Sequence, residues 1–304
     1  MAGAVFPPSK LRGSRGTEAH CQGRLGVQPK RWVIHCLLNL IIVVNKQKTK
    51  IYGERGCGFL SKWYDTKMVK SGDVYEVFRY GRAIKTGECK NDQGRRLEAS
   101  EDDKKETRKK TLSKAKTTVR RLINANVNAW GESPKFLTLT FAENIQDIKM
   151  ANYEFKKFRQ RLEYILKAKL KYLVVMEFQK RGAIHYHAVF FNLPYIENEK
   201  LAEIWGHGFI KINAIDDVDN VGAYVSKYMT KENYEKEKTD RLVGQKSYFT
   251  SRGLKKPEEF FEKEKIDQLA ADLSDYKTYE SMFENDYLGQ IQYTQFNTKR
   301  EHQK

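Results

Sequence analysis

Two imidazoles, a carboxylate and a pair of phenols carry the chemistry most readily read from this sequence. His185 and His187 lie in "IHYHAVFF", residues 184–191, whose β-branched and aromatic content predicts a strand. Alternate residues of a strand face the same way, so both imidazoles share one face while Ile184, Tyr186, Ala188 and Phe190 occupy the other. Two imidazoles on one face form a metal pincer, although a His-x-His pair alone is more often structural. A second strand is expected at "KYLVVMEFQ", residues 171–179, joined to the first by Lys180-Arg181-Gly182-Ala183. If Gln179 pairs with Ala183, Glu177 falls opposite His185 and completes a set of two nitrogens and one oxygen. A slip of one residue would turn the carboxylate to the opposite face. Such a donor set suits Mg²⁺, Mn²⁺ or Zn²⁺, and ligand type alone does not separate them. A salt bridge from Glu177 to Lys180 or Arg181 is the simpler alternative.

The phenols belong to "YVSKYMTK", Tyr224 to Lys231, at the end of a helix expected from about Asp219 to Lys231. Tyr224 and Tyr228 are four residues apart, as are Lys227 and Lys231. Each pair therefore shares a helix face, and each tyrosine has a lysine three residues on. A phenol with a pKa near 10 is a poor nucleophile at neutral pH. A nearby cation or metal favours its phenolate and makes it a better one. Taken alone, a Tyr-x-x-x-Tyr pair also fits a ring packed on a sheet beside solvated lysines.

Positioning these groups requires a small set of elements. "KFLTLTF", Lys135 to Phe141, predicts a core strand, and a helix is expected from about Asp147 to Lys169 with Tyr153, Phe158, Leu162, Ile165 and Leu166 as its buried stripe. The His hairpin follows, then a short helix near Leu201 to Trp205, a strand at Gly208 to Ile215, and the tyrosine helix. The order β-α-β-β-α-β is a split βαβ arrangement around an antiparallel sheet, an α+β fold of the ferredoxin-like or RRM-like kind with flanking helices. Upstream, Asp73 to Ile84 predicts one or two strands, and Glu101 to about Trp130 a charged helix with Leu112, Ala115, Val119, Leu122 and Ile123 as its stripe. Its other faces carry Lys104, Lys105, Arg108, Lys109, Lys110, Lys114, Lys116, Arg120 and Arg121, which suit either a solvated surface or a DNA backbone. Downstream, Ser247 to Pro257 predicts a strand and turn, and Pro257 to Leu273 a helix. The expected organisation is a poorly structured basic extension over 1–67, strands and the basic helix over 68–130, the core over 131–257, and a helical, acidic-aromatic tail over 258–304.

Composition narrows the partners. The 304 residues carry a formal charge of +17 at a pI near 9.5, with 17 Tyr and 16 Phe. Residues 1–50 hold nine basic side chains against one acid, Glu18, so +8 of that charge lies there and the remaining chain is still basic. Lys and Arg gain affinity for polyanions by releasing counterions from phosphates. Cys21, Cys36, Cys57 and Cys89 match neither a zinc ribbon nor a redox pair and are expected to be reduced, cytosolic thiols. The apolar run Val33 to Val44 is broken by His35 and Asn39 and falls short of the roughly 20 residues that span a bilayer. No membrane partner is expected.

A strand like "FLTLTF", then "HYHAVFF", then "YVSKYMTK", in this order between Phe136 and Lys231, resembles the three motifs of HUH-superfamily rolling-circle replication initiators. The two-tyrosine form is similar to the initiators of some isometric and filamentous phages. The resemblance implies a five-stranded antiparallel sheet, a divalent ion (Mg²⁺ or Mn²⁺) held by His185, His187 and a third polar ligand that falls by position on Glu177, and a nucleophile at Tyr224 or Tyr228, with Lys227 or Lys231 offsetting charge. It implies nicking and joining of single-stranded or extruded origin DNA through a 5′-phosphotyrosyl intermediate, in the cytoplasm of a bacterial host. Because no GxxxxGK[ST] motif is present, a host helicase and polymerase are the expected partners. Competing readings are a relaxase or transposase built on the same site, a non-catalytic single-strand-binding module, and a metal-dependent hydrolase that uses water.

Overall fold

Runs of β-branched and aromatic residues separated by charged, helix-favouring stretches form two sheets and their connecting helices. The computed structural model describes residues 63–85, 100–213, 215, 218–229 and 246–300. The four cysteines, the apolar run Val33 to Val44 and Lys231 lie outside the described residues. In chain order the elements are β1 (Trp63–Ser71), β2 (Val74–Lys85), α1 (Glu101–Asn126), β3 (Lys135–Thr140), α2 (Ile148–Leu166), β4 (Tyr172–Phe178), β5 (Ile184–Phe190), α3 (Asn198–Trp205), β6 (Ile210–Asn213), α4 (Val221–Ser226), β7 (Tyr248–Thr250), β8 (Glu258–Phe260), α5 (Lys263–Asp272), β9 (Lys277–Asn285) and β10 (Gly289–Asn297).

The expected β-α-β-β-α-β order is realised as β3-α2-β4-β5-α3-β6, in an antiparallel sheet of order β6-β3-β5-β4-β7. One face of this sheet buries Leu137, Leu139, Tyr186, Ala188 and Phe190 under α2 and α3, against Phe155, Phe158, Leu162 and Trp205. The buried stripe of α2 is Ala151, Phe155, Phe158 and Leu162, rather than one running through Tyr153 and Ile165, which are both about half exposed. The reason is phase: positions 151, 155, 158 and 162 recur at the four- and three-residue spacing of a single helical face. The opposite sheet face buries Phe136, Leu173, Val175 and Val189 against Val119 and Ile123 of α1 and Val221 and Val225 of α4. Removing water from each such large apolar side chain contributes roughly 1.5–3 kcal/mol.

The second sheet departs from expectation. It runs β8-β1-β2-β10-β9, all antiparallel, so the segment expected to be a helical tail supplies a long hairpin that pairs with β2. Glu258–Phe260 forms a short strand on β1, and the helix expected from Pro257 begins only at Lys263. At the other end, β1 starts at Trp63, and fully buried Met68 lies in its middle. The boundary expected at Met68 therefore cuts a paired strand.

Helix α1 joins the two sheets. Ser100 caps it, its Oγ accepting from the Asp103 amide at 3.1 Å. It ends at Asn126, where the Asn126 side chain accepts from Trp130 Nε1 and donates to the Leu122 carbonyl. Arg120 and Arg121, expected on its outer faces, instead reach the buried carboxylate of Glu76 on β2 at 2.6 and 2.5 Å, with the Tyr293 hydroxyl donating to the same group at 2.9 Å. A carboxylate only 1% exposed would be costly without such partners. No helix among the described residues is long and apolar enough to cross a membrane.

Candidate metal and tyrosine site

The β4–β5 hairpin fixes the first half of the site. Gly182, at φ 87°, turns the chain, and the Gln179 amide donates to the Ala183 carbonyl at 2.8 Å. The resulting register pairs Glu177 with His185 and Val175 with His187, so the carboxylate and both imidazoles share the face covered by α1 and α4. One ligand atom from each of Glu177, His185 and His187 lies within 4.8 Å of the others. Glu177 Oε2 is 2.5 Å from His187 Nε2, so its partner is the histidine rather than Lys180 or Arg181. Arg181 instead donates to the carbonyls of Phe141 and Ala142.

Thr138, in the middle of β3, approaches His187 Nδ1 with its hydroxyl at 3.2 Å. A hydroxyl at the far ring nitrogen orients the imidazole and leaves Nε2 directed at the cluster. His185 Nε2 is buried and has no hydrogen-bond partner. A buried nitrogen left without a partner is costly in a protein that offers it nothing, and this one points among a carboxylate and a second imidazole. Burial, together with neighbouring His187, lowers the His185 pKa to about 4 against the upward pull of Glu177. Its lone pair is thus available at neutral pH. Two nitrogens and a carboxylate oxygen, one of them unsatisfied, fit a divalent cation.

The tyrosines arrive from α4 and the single 3-10 turn, Lys227–Met229, that follows it. Tyr228 stacks on His187 with ring centroids 4.0 Å apart, and Tyr224 meets Tyr228 edge-on at 6.1 Å. Phe136 supports both, at 5.7 Å from Tyr224 and 5.5 Å from Tyr228. Burial, a hydrogen bond to Tyr224, and the charges of Tyr224 and Glu177 raise the Tyr228 pKa to about 12. Lys227 is exposed and carries its Nζ 5.7 Å from the Tyr224 ring centroid.

Two contributors escape sequence reasoning. Asn124 of α1 accepts from the Gly222 amide at 2.7 Å and donates to Asn220 Oδ1, which in turn caps α4 by accepting from Ala223. Gly222 lies so close to α1 that a Cβ there would sit 2.2 Å from the Arg120 carbonyl oxygen. The tyrosine-bearing segment is therefore held by the end of the basic helix. The only hint in the sequence is a glycine inside a predicted helix, where it costs about 1 kcal/mol unless close packing requires it.

An α+β core whose antiparallel sheet presents a Glu-His-His cluster to a pair of tyrosines is the class that fold and site define. Residues 134–233 match the family model of the replication-associated protein ORF2/gene 2 protein, a span from the start of β3 past both tyrosines. No curated protein and no solved structure gives a significant match. The family match supports a function in DNA replication.

Proposed function

We propose that this protein is a rolling-circle replication initiator of the HUH type, nicking single-stranded origin DNA with a tyrosine and later rejoining the strand. The observation that carries the reading is the stacking of Tyr228 on His187, which brings the phenol pair to the Glu177-His185-His187 cluster. Glu177, His185 and His187 are the residues that would hold a divalent ion. Bound there, Mg²⁺ or Mn²⁺ supplies Lewis-acid charge that polarises a phosphate oxygen and favours the phenolate. The tyrosine oxygen forms a bond to phosphorus as the bond from phosphorus to the 3′ oxygen breaks. The phenolic proton is lost, the departing oxygen takes one up, and the products are a 5′-phosphotyrosyl link and a free 3′-OH that a host polymerase can extend. Attack by a 3′-OH on that link reverses the bonds and rejoins the strand. Thr138 keeps the His187 ring oriented, Asn124 and Asn220 hold α4, and Lys227 offers positive charge to the phosphate or phenolate. With two tyrosines side by side, one can hold the strand while the other cuts a regenerated origin.

A relaxase or transposase could use the same groups, and the match to a replication-associated family favours the initiator. Incubation of the chain with end-labelled single-stranded origin DNA and Mn²⁺ should give an adduct that survives SDS. Cleavage that leaves no protein on the DNA would instead identify a hydrolase using water.

A further inference from the structure

The second sheet carries a feature that the nicking reading does not use. Along β9, Tyr279, Ser281 and Phe283 alternate with Glu280, Met282 and Glu284, so rings and carboxylates occupy opposite faces. The ring face continues across the sheet through an unbroken series of contacts. Tyr279 meets Tyr293 of β10 at 6.0 Å, Tyr293 meets Phe78 of β2 at 5.0 Å, and Phe78 stacks parallel to Tyr80 at 6.3 Å with 7° between planes. Tyr80 then meets Tyr64 of β1 at 6.1 Å, and Tyr64 meets Phe261, just past β8, at 4.8 Å. Six rings thus cross all five strands. With strands about 4.8 Å apart, the row is roughly 19 Å wide, which matches the shortest sites, about four nucleotides, of single-strand-binding folds.

The charge on this face is cationic. Arg121 lies over Phe78 at 5.7 Å and Lys67 over Phe261 at 5.5 Å. Helical spacing aligns Arg121 with Lys114 and Lys110 along one side of α1. The acids Glu280 and Glu284 belong to the other face, and the ring-face acids Glu76 and Glu259 are engaged by Arg120, Arg121 and Lys67. Tyr279 and Phe283 are 56% and 49% exposed, more than a row serving only as core requires.

We propose that this aromatic face is a second single-strand platform, on which bases of the origin strand stack while α1 lysines and Arg121 follow the phosphates. The site accepts single-stranded DNA with little regard to sequence, because every base has a π-face. It rests on the reading that single-stranded DNA is the substrate, and it separates holding the strand from cutting it.

The test uses fluorescence anisotropy of the full chain with labelled oligothymidylate. Tyr279→Ala should weaken binding about tenfold, within the range for loss of one base–aromatic stack, and Tyr64→Ala by a similar factor. Met282→Ala, on the acidic face, should leave binding unchanged. A short origin strand that fills only the tyrosine site should be nicked equally by wild type and the Tyr279→Ala variant. Photocrosslinking of the wild-type chain to iododeoxyuridine-substituted strands, which needs no variant, should recover peptides of β2, β9 or β10. Undiminished binding in both variants, with crosslinks confined to residues 134–229, would overturn the platform. So would loss of self-association in the variants without loss of DNA binding, since the face would then be an interface between copies. Failure of the wild type to nick, with these binding effects intact, would count against the nicking reading alone.

Discussion

Tyr228 and His187 stack ring on ring, with centroids 4.0 Å apart, although one lies on a 3-10 turn after α4 and the other in the central strand of a sheet. The contact joins the two halves of the site, so changes to either half should be felt at the same step.

Replacing a cluster residue should remove catalysis and spare binding. His185→Ala, His187→Ala and Glu177→Ala are each expected to slow nicking on the order of 100-fold or more, in keeping with the several kcal/mol a Lewis acid supplies. Affinity for single strands should change little, because it rests on distributed phosphate contacts. Thr138→Val should cost about 10-fold through loss of ring orientation. Nicking rates and anisotropy measured on the same preparations, with and without EDTA, check all four. Full activity of the double histidine variant in EDTA would contradict the metal reading.

The low pKa of His185 has a consequence for stability in the absence of metal. Its folded value is about 4 and its ordinary value 6.5, so between these the unfolded chain binds the extra proton. Stability from this group is complete above pH 6.5 and is lost as the pH falls toward 4. Urea denaturation in EDTA should show the midpoint falling over this window, and His185→Gln should flatten the fall. An identical pH profile in that variant would mean that His185 is not held neutral by its surroundings.

Gly222 offers a test of the seam between α1 and α4. A methyl at this position meets the Arg120 carbonyl and Asn124 Oδ1 inside van der Waals contact. Gly222→Ala should therefore destabilise the protein by about 1–3 kcal/mol, despite the better helix propensity of alanine. Asn124→Ala should slow nicking while leaving single-strand affinity near wild type. Thermal melts report the first effect and single-turnover rates the second.

The amino-terminal boundary can be set by shortening the chain. A chain beginning at Gly58, the first residue of the compact unit that holds every described residue, should retain the melting temperature of the folded core. One beginning at Met68 loses Trp63–Lys67, and with them the β1–β2 pairs Trp63↔Lys85, Tyr64↔Ile84, Thr66↔Arg79 and Lys67↔Phe78. It should melt at a lower temperature. Equal melting temperatures would restore Met68 as the start of the core.

What was legible in the sequence follows the range of the forces involved. The pairing of Glu177 with His185 could be anticipated because a short turn transmits register locally, and the strand period of two then decides the face. The β9–β10 hairpin could not, since only Ile291, Thr294, Phe296 and Asn297 of its strand residues are buried and β9 lacks an apolar alternation. Its pairing partner β2 lies about two hundred residues earlier in the chain, beyond the reach of any local pattern. Thr138 and Asn124 are ordinary polar residues until the fold brings them to His187 and Gly222.

The most direct test of tyrosine chemistry is mass spectrometry of the peptide left on DNA after nicking in Mn²⁺. The account predicts a phosphotyrosyl adduct on Tyr228 or Tyr224, with Tyr228 dominant in the first cut because it is the ring against His187. The Tyr224→Phe, Tyr228→Phe double variant should form none. An adduct on any other residue, or one undiminished in the double variant, would contradict the account.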